Sequence, residues 1–358
     1  MSSLSFLDQF ARWFVPAPFL QLARAAHWLR RQGQIDAFEF LTSLVFGQLS
    51  ALRLTLNAQA QGLAVPVTRQ AVAQRYTPAA VAYLQSAFAH CLNQTWVGGP
   101  AQPMAHELRA HFAAVYLLDS TAFDVPASLQ QLFPACGGDG SPAHVKVLLR
   151  YEWMTGRLEP LQLLPGQRSD QGLARQVVVP LRENQLQLQD KGFFSAAALQ
   201  LAGWLILVTN APAAKLPSRG LSDLDRARWQ IELIFRQCKW VLRLDGTESD
   251  NVCRVPCEIW ARLLAAVLIF VWHAHTGAAC WRAHGCEISF EKVCRLFQQW
   301  GHRLARAFLQ GGEALRNDLR ALWRHILKGA RKERQKTRTN TWDRLREVWL
   351  TPPTRPLA

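Results

Sequence analysis

At position 115 the hydrophobic period of this chain changes, and the change restricts it to folds that join helices to a sheet. Upstream, apolar residues recur at helical spacing from Phe6 through Phe46, with Arg24, Arg30 and Arg31 clustered among them. Downstream, Val115-Tyr-Leu-Leu118 reads as a strand that stops at Asp119-Ser-Thr. Residues 144–153 and 158–164 read as two more, joined through the hairpin-like turn Met154-Thr-Gly156-Arg, and the three runs predict a meander. Leu186-Gln-Leu188-Gln alternates and ends at Asp190-Lys-Gly. Residues 195–201 start like a capped helix, 204–208 read as a buried strand, and 221–244 return to the helical period. Residues 171–182 stay ambiguous, because Val177-Val-Val-Pro180 argues against a continuous helix.

Three strands, a crossover, a strand, a helix, a strand and a helix suit an α/β fold with a ribonuclease-H-like sheet. The expected division is a helical, DNA-binding N-terminal region (1–108), this mixed core (109–275), and a helical, basic C-terminal region (276–358). The helix read over 221–244 has two faces. At about 100° per residue, Ala227, Ile231, Ile234, Cys238 and Leu242 fall on one apolar stripe. Arg228, Glu232 and Lys239 fall on the neighbouring strip, so a carboxylate is flanked by two cations. A surface salt ladder is one reading. Arg four residues before Glu is the weaker orientation for helix support, which favours the other, a metal-binding carboxylate beside phosphate-binding cations.

The choice turns on partner carboxylates. Asp119 and Asp190 both end apolar runs, where side chains emerge at the edge of an α/β core, and Glu232 lies on a helix expected to cover that edge. Asp124 and Asp170 compete, and an exposed strand-end Asp is usually a turn residue. Three carboxylates from distant parts of a chain suit divalent cations, which take oxygen ligands. Two such ions roughly 4 Å apart activate a water or 3′-hydroxyl and stabilise the leaving oxygen in phosphodiester cleavage.

Charge points the same way. Lys plus Arg is 41 against Asp plus Glu 26, a formal net charge of +15, which favours a polyanion, nucleic acid before membrane surface. Residues 259–275 are the most apolar segment but carry Arg262 and two histidines, and read as a buried helix rather than a membrane span. The same run makes His273 and His275 core residues. Residues 1–9 do not read as a secretory leader. Eight cysteines lack the CxxC spacing of a zinc site, although Cys253, Cys257, Cys280, His284 and Cys286 lie close in sequence. Free thiols in a reducing cytoplasm are the simpler expectation.

Two further stretches are candidate DNA contacts. Residues 67–81 read as a short helix, a turn and another helix, with Thr68 and Thr77 as N-caps. They carry Arg69, Gln70 and Arg75, which would enter a groove in a helix-turn-helix arrangement or else serve ordinary helical packing. Residues 328–338 hold six cations and one acid, among them Lys328, Arg331 and Lys332. They read either as a solvated tail or as a segment that tracks a nucleic-acid backbone.

Three blocks carry a family resemblance. Tyr116-Leu-Leu-Asp119-Ser-Thr, Leu188-Gln-Asp190-Lys-Gly-Phe-Phe and Arg228-Trp-Gln-Ile-Glu232-Leu-Ile-Phe-Arg-Gln-Cys-Lys239 resemble the DDE transposases of the bacterial insertion-sequence-four family. The third block is the most specific, being similar to the family's Tyr-Arg-Glu-Lys signature. The resemblance implies that Asp119, Asp190 and Glu232 are a catalytic triad holding two Mg2+ or Mn2+ ions. It implies that Arg228 and Lys239 grip transposon-end phosphates and that Trp229 packs the helix. The implied activity is cleavage of DNA at terminal inverted repeats and joining of the freed 3′-hydroxyl to target DNA, by a homodimer in the cytoplasm. Two departures stand out. Asp225 occupies the position of the signature Tyr, and only 41 residues separate Asp190 from Glu232, where the family usually inserts a β-rich subdomain. They leave open a shortened transposase that binds DNA without cutting it. A nuclease of the same fold class would use the same acids without paired ends.

Overall fold

The computed structural model describes residues 3–31, 33–50, 54–93, 111–137, 140–159, 162–170, 182–189, 224, 228, 231–232, 234–239, 242–244, 246 and 249–332. The chain opens with helices α1 (Ser3–Trp13), α2 (Pro16–Ala25), α3 (Ala37–Ser50), α4 (Leu56–Gln61), α5 (Arg69–Ala73) and α6 (Pro78–Leu92). Local chemistry sets their starts. Thr68 Oγ1 accepts from Ala71 N at 3.2 Å and Thr77 Oγ1 from Ala80 N at 3.3 Å, so both expected N-caps form. Pro78 follows in the first turn of α6, where a missing N–H costs nothing.

The sheet is built around β1 (Ala114–Asp124). β2 (His144–Glu152) pairs with it antiparallel, and β3 (Arg157–Leu158) and β4 (Gln162–Pro165) pair with the far side of β2. The meander therefore forms, with the run expected over 158–164 divided between β3 and β4. Its tight turn is held by the buried Glu152 carboxylate, which accepts from Met154 N at 3.0 Å and Thr155 N at 2.8 Å. Gly156 supplies a φ of 76° there, which a side chain would resist. β5 (Gln185–Gln189) adds on the other side of β1 in parallel, from Ala114↔Gln185 to Leu118↔Gln189. The result is a mixed sheet of order β3-β2-β1-β5. The helix and strand expected over 195–201 and 204–208 lie outside the described residues.

One expectation is corrected. The strand does not stop at Asp119 but continues to Asp124, because β2 pairs along all of it, ending at Asp124↔His144. Among the described residues the last pair with the parallel neighbour is Leu118↔Gln189. Beyond it Asp119, Ser120 and Thr121 are half-buried and Ala122 is exposed, so polar residues sit inside a strand.

After the sheet come α7 (Arg254–His284), α8 (Phe290–Gln310) and α9 (Gly312–Gly329). α7 is long and apolar enough to cross a membrane, yet 94% of its most apolar window is buried inside the fold. Its ionic groups are matched internally. Glu258 Oε1 meets Arg254 Nε at 2.7 Å, and the buried Arg262 donates from Nε and Nη2 to Gln48 Oε1 at 3.2 and 2.8 Å. His273 bonds through Nε2 to the Ile288 carbonyl at 3.1 Å, and His275 stacks on Phe6 with centroids 4.0 Å apart. Burial lowers the pKa of both imidazoles to about 4.

The two ends of the chain share one core. Phe6 and Phe10 of α1 meet Trp272 of α7 at 5.5 and 5.4 Å, and Phe6 meets Trp323 of α9 at 5.5 Å. α3 packs closely on α8 at Gly301, where a Cβ would stand 2.8 Å from the Phe46 carbonyl oxygen. The boundary expected at 275/276 falls inside the unbroken α7.

Candidate active site

The side-chain alternation of β1 separates the candidate acids. Val115, Leu117, Asp119 and Phe123 share one face, and the three apolar members belong to the main core. Leu118 lies on the other face, in a small separate cluster with Leu148. Ser120 and Asp124 follow Leu118 by alternation. There the Asp124 carboxylate meets His144 Nε2 at 2.6 Å. Asp170 Oδ1 accepts from Ser120 Oγ at 2.7 Å and from Lys146 Nζ at 3.1 Å. The two competing acids are thus engaged on the side of the sheet away from Asp119. Asp119 Oδ1 accepts from Ser120 N at 2.8 Å, which fixes one carboxylate oxygen.

Asp190 lies outside the described residues, as do Asp225 and Trp229. Gln189, to which Asp190 is bonded, pairs in parallel with Leu118, to which Asp119 is bonded.

Glu232 lies in the expected helix: residues 231–232 and 234–239 are helical, and Ile231, Ile234, Cys238 and Leu242 of the apolar stripe are buried in the main core. Arg228 Nη1 reaches Glu232 Oε1 at 3.2 Å, with the arginine side chain 12% and the glutamate 37% exposed. Lys239 Nζ donates to the Ala122 carbonyl at 2.8 Å, across 117 positions of sequence. The backbone polarity of β1 explains that contact. Val115 O accepts from Trp153 N and Val125 N donates to Ala143 O, so odd-numbered residues bond toward β2. Even-numbered Ala122 therefore turns its carbonyl toward the side of β5, beyond the last β5 pair. Lys239 supplies a donor to that carbonyl and so ties the Glu232 helix to β1.

The outlying candidates divide. Arg69 and Gln70 are exposed on α5. Arg75 is a packing residue: its guanidinium lies 3.8 Å over the Trp28 ring, its carbonyl accepts from Trp28 Nε1 at 3.0 Å, and burial lowers its pKa. Lys328 is exposed on α9. Arg331 Nε caps α9 on the Leu327 carbonyl at 2.8 Å, and Lys332 Nζ pairs with Glu287 at 2.7 Å. All eight cysteines are free thiols. Sequence reasoning missed the roles of Ala122 and Gln48, whose signals exist only in the folded chain.

Residues 110–268, which span the sheet and the Glu232 helix, match the family described as the transposase DDE domain. This part of the chain is similar to transposase DDE domains. Parts of the chain are also similar to bacterial insertion-sequence transposases. It is 24% identical over 197 residues to the transposase for insertion sequence element IS231F of Bacillus thuringiensis subsp. israelensis, covering 53% of this chain and 40% of the relative. It is 26% identical over 181 residues to the transposase for IS1151 of Clostridium perfringens, covering 49% and 37%. The match to the transposase for IS231E of Bacillus thuringiensis subsp. finitimus is 19% identical over 460 aligned residues, covering 96% of this chain and 95% of the relative. The chain thus spans about two fifths of the length of the first of these relatives. No solved structure matches it.

Proposed function

We propose that this chain is a metal-dependent DNA transposase that cleaves insertion-sequence ends and transfers the freed strand to target DNA. The observation that carries the reading is the parallel register Leu118↔Gln189. The residues bonded to this pair are Asp119 and Asp190, which supports the two acids acting together. The Lys239–Ala122 bond ties the Glu232 helix to the strand that carries Asp119. Antiparallel β1, β2 and β3 followed by parallel β5 supports a ribonuclease-H-like core. The Tyr-Arg-Glu-Lys type of signature adds Arg228 and Lys239 as phosphate contacts. The alignment to the IS231E protein runs over 460 positions against 358 residues here, which supports a missing insert.

The donor set is all carboxylate oxygen, with Asp119 and Glu232 half-buried, and this chemistry fits hard divalent cations such as Mg2+ or Mn2+. Asp119, Asp190 and Glu232 would hold two such ions, which when bound activate a water or 3′-hydroxyl and offset charge on the leaving oxygen. Ser120 N orients Asp119, and Arg228 holds Glu232 while lending positive charge to an approaching phosphate. Residues 1–108 and 276–358 supply further DNA contacts. The active form is a homodimer on paired ends, in the cytoplasm at the nucleoid.

The test is a manganese-supplemented nicking assay on plasmid DNA carrying the element ends. Wild-type protein nicks, and Asp119→Ala, Asp190→Ala and Glu232→Ala abolish nicking while end binding survives. Any of the three that cuts at the wild-type rate is not part of the triad. Binding without nicking by the wild type would leave a DNA-holding remnant in place of the enzyme.

A further inference from the structure

Between positions 319 and 332 the chain carries Arg320, Arg324, Lys328, Arg331 and Lys332 and no acid. α9 buries Leu315, Leu319, Leu322, Trp323 and Ile326. At about 100° per residue, Arg316, Arg320, Arg324 and Lys328 climb in steps of four from the flank of that buried stripe to the side opposite it. Each step advances about 6 Å along the axis. Arg316, Arg324 and Lys328 are exposed and Arg320 is half-buried.

Counter-charge is confined to the start of this row. Arg316 and Arg320 share Glu313 at 3.6 and 3.2 Å, and Arg316 stands 3.9 Å from Asp8. Arg324 Nε turns back to the Arg320 carbonyl at 3.4 Å. Among the described residues, neither Arg324 nor Lys328 has an acid within ion-pair distance. Like charges four apart on a helix oppose the helix, so this spacing works against the stability of α9 on its own. A polyanion laid along the row removes that repulsion. Arg316 and Lys328 are about 18 Å apart along the axis. Over that length one strand of duplex DNA presents about five phosphates, one per ~3.4 Å.

We propose that the outer face of α9, from Arg316 to Lys328, tracks the phosphate backbone of duplex DNA without reading bases. This extends the transposase reading above and rests on it. Arg331 and Lys332, held against Leu327 and Glu287, continue the positive surface past the end of the helix.

The test uses the full chain and a random-sequence 30-base-pair duplex, with affinity followed by fluorescence anisotropy across a salt series. Neutralising three phosphate contacts in the variant Arg320→Gln/Arg324→Gln/Lys328→Gln lowers the slope of log affinity against log salt by ~2.7. Between 50 and 200 mM salt the wild type then loses roughly forty-fold more affinity than the variant. The variant Arg320→Lys/Arg324→Lys/Lys328→Arg keeps the wild-type slope, and thermal melting of the neutralised variant shows no loss of stability. If the wild type binds the duplex and the neutralised variant keeps its slope, the α9 proposal falls while the transposase reading stands. If the wild type binds no DNA even at low salt, both fall. Loss of binding to phosphatidylserine vesicles with the DNA slope unchanged would make this face a membrane contact and overturn the proposal.

Discussion

Replacing Arg262 with Met tests how the helical body is joined to the segment that follows the Glu232 helix. Arg262 is 4% exposed and bridges three parts of the chain: Gln48 of α3, the Gly246 carbonyl at 3.3 Å, and Glu258 of its own helix at 3.9 Å. Methionine keeps much of the aliphatic bulk and removes the donors. Deleting one partner of a buried ion pair costs about 3–5 kcal/mol. Here the ion pair is long, and Glu258 keeps Arg254 at 2.7 Å. The loss comes mainly from the Gln48 and Gly246 oxygens deprived of this donor, at about 1–3 kcal/mol for each acceptor. The expected destabilisation is therefore about 3 kcal/mol, read as a lowered urea midpoint. Gln48→Leu in the Arg262→Met background should cost at least ~1 kcal/mol less than in the wild type, because the Arg262–Gln48 hydrogen bonds are already gone there. A loss under ~1 kcal/mol for Arg262→Met, or strict additivity with Gln48→Leu, refutes the reasoning.

Other outcomes follow from the same structure. Asp124→Asn and Asp170→Asn leave nicking near the wild-type rate, since both acids lie on the face of β1 away from Asp119; a loss like that of Asp119→Ala would reverse the assignment of faces. Lys239→Met costs no more than ~1 kcal/mol in a melt, as befits an exposed hydrogen bond, yet slows nicking by loosening the Glu232 helix. Unchanged nicking would make that tie irrelevant to activity. His273 and His275 ionise at about 4 in the folded chain against about 6.5 unfolded. The unfolded state therefore takes up protons first, and stability that is full above about pH 6.5 is lost as pH falls toward 4. Between pH 7.5 and 5 each histidine accounts for about 2 kcal/mol, and His275→Phe should flatten the acid limb of a urea-midpoint profile by its share. A profile as steep as the wild type's would contradict this.

What the sequence disclosed was local. Thr68 and Thr77 cap their helices because a side-chain oxygen two or three residues from a free N–H needs no tertiary partner. The apolar stripe through Ile231, Ile234, Cys238 and Leu242 was legible for the same reason, since a 3.6-residue period depends only on the helix. Polarity at Asp119-Ser-Thr looks like a strand terminus, whereas pairing with β2 carries β1 on to Asp124, and that partner is not adjacent in sequence. The choice between groove contact and helical packing for Arg75 was not legible, because nothing near it in sequence announces Trp28, 47 positions away. That the two ends of the chain share one core was not legible either: the pairing of Phe6 with Trp272 and Trp323 is a property of packing, invisible to periodicity. The tie from Lys239 to Ala122 depends on which way one carbonyl points, and only the strand register determines that.

The account is tested most directly by mapping where a divalent ion sits on the chain itself. With Fe2+ replacing Mg2+ in the presence of ascorbate and peroxide, hydroxyl radicals cut the backbone beside the bound ion, and the fragments are read by mass spectrometry. The account predicts cuts clustered at positions 119, 190 and 232 together, all suppressed by excess Mg2+ and all lost in Asp119→Ala. Cuts at only one of these positions, or at 124 and 170 instead, would contradict it.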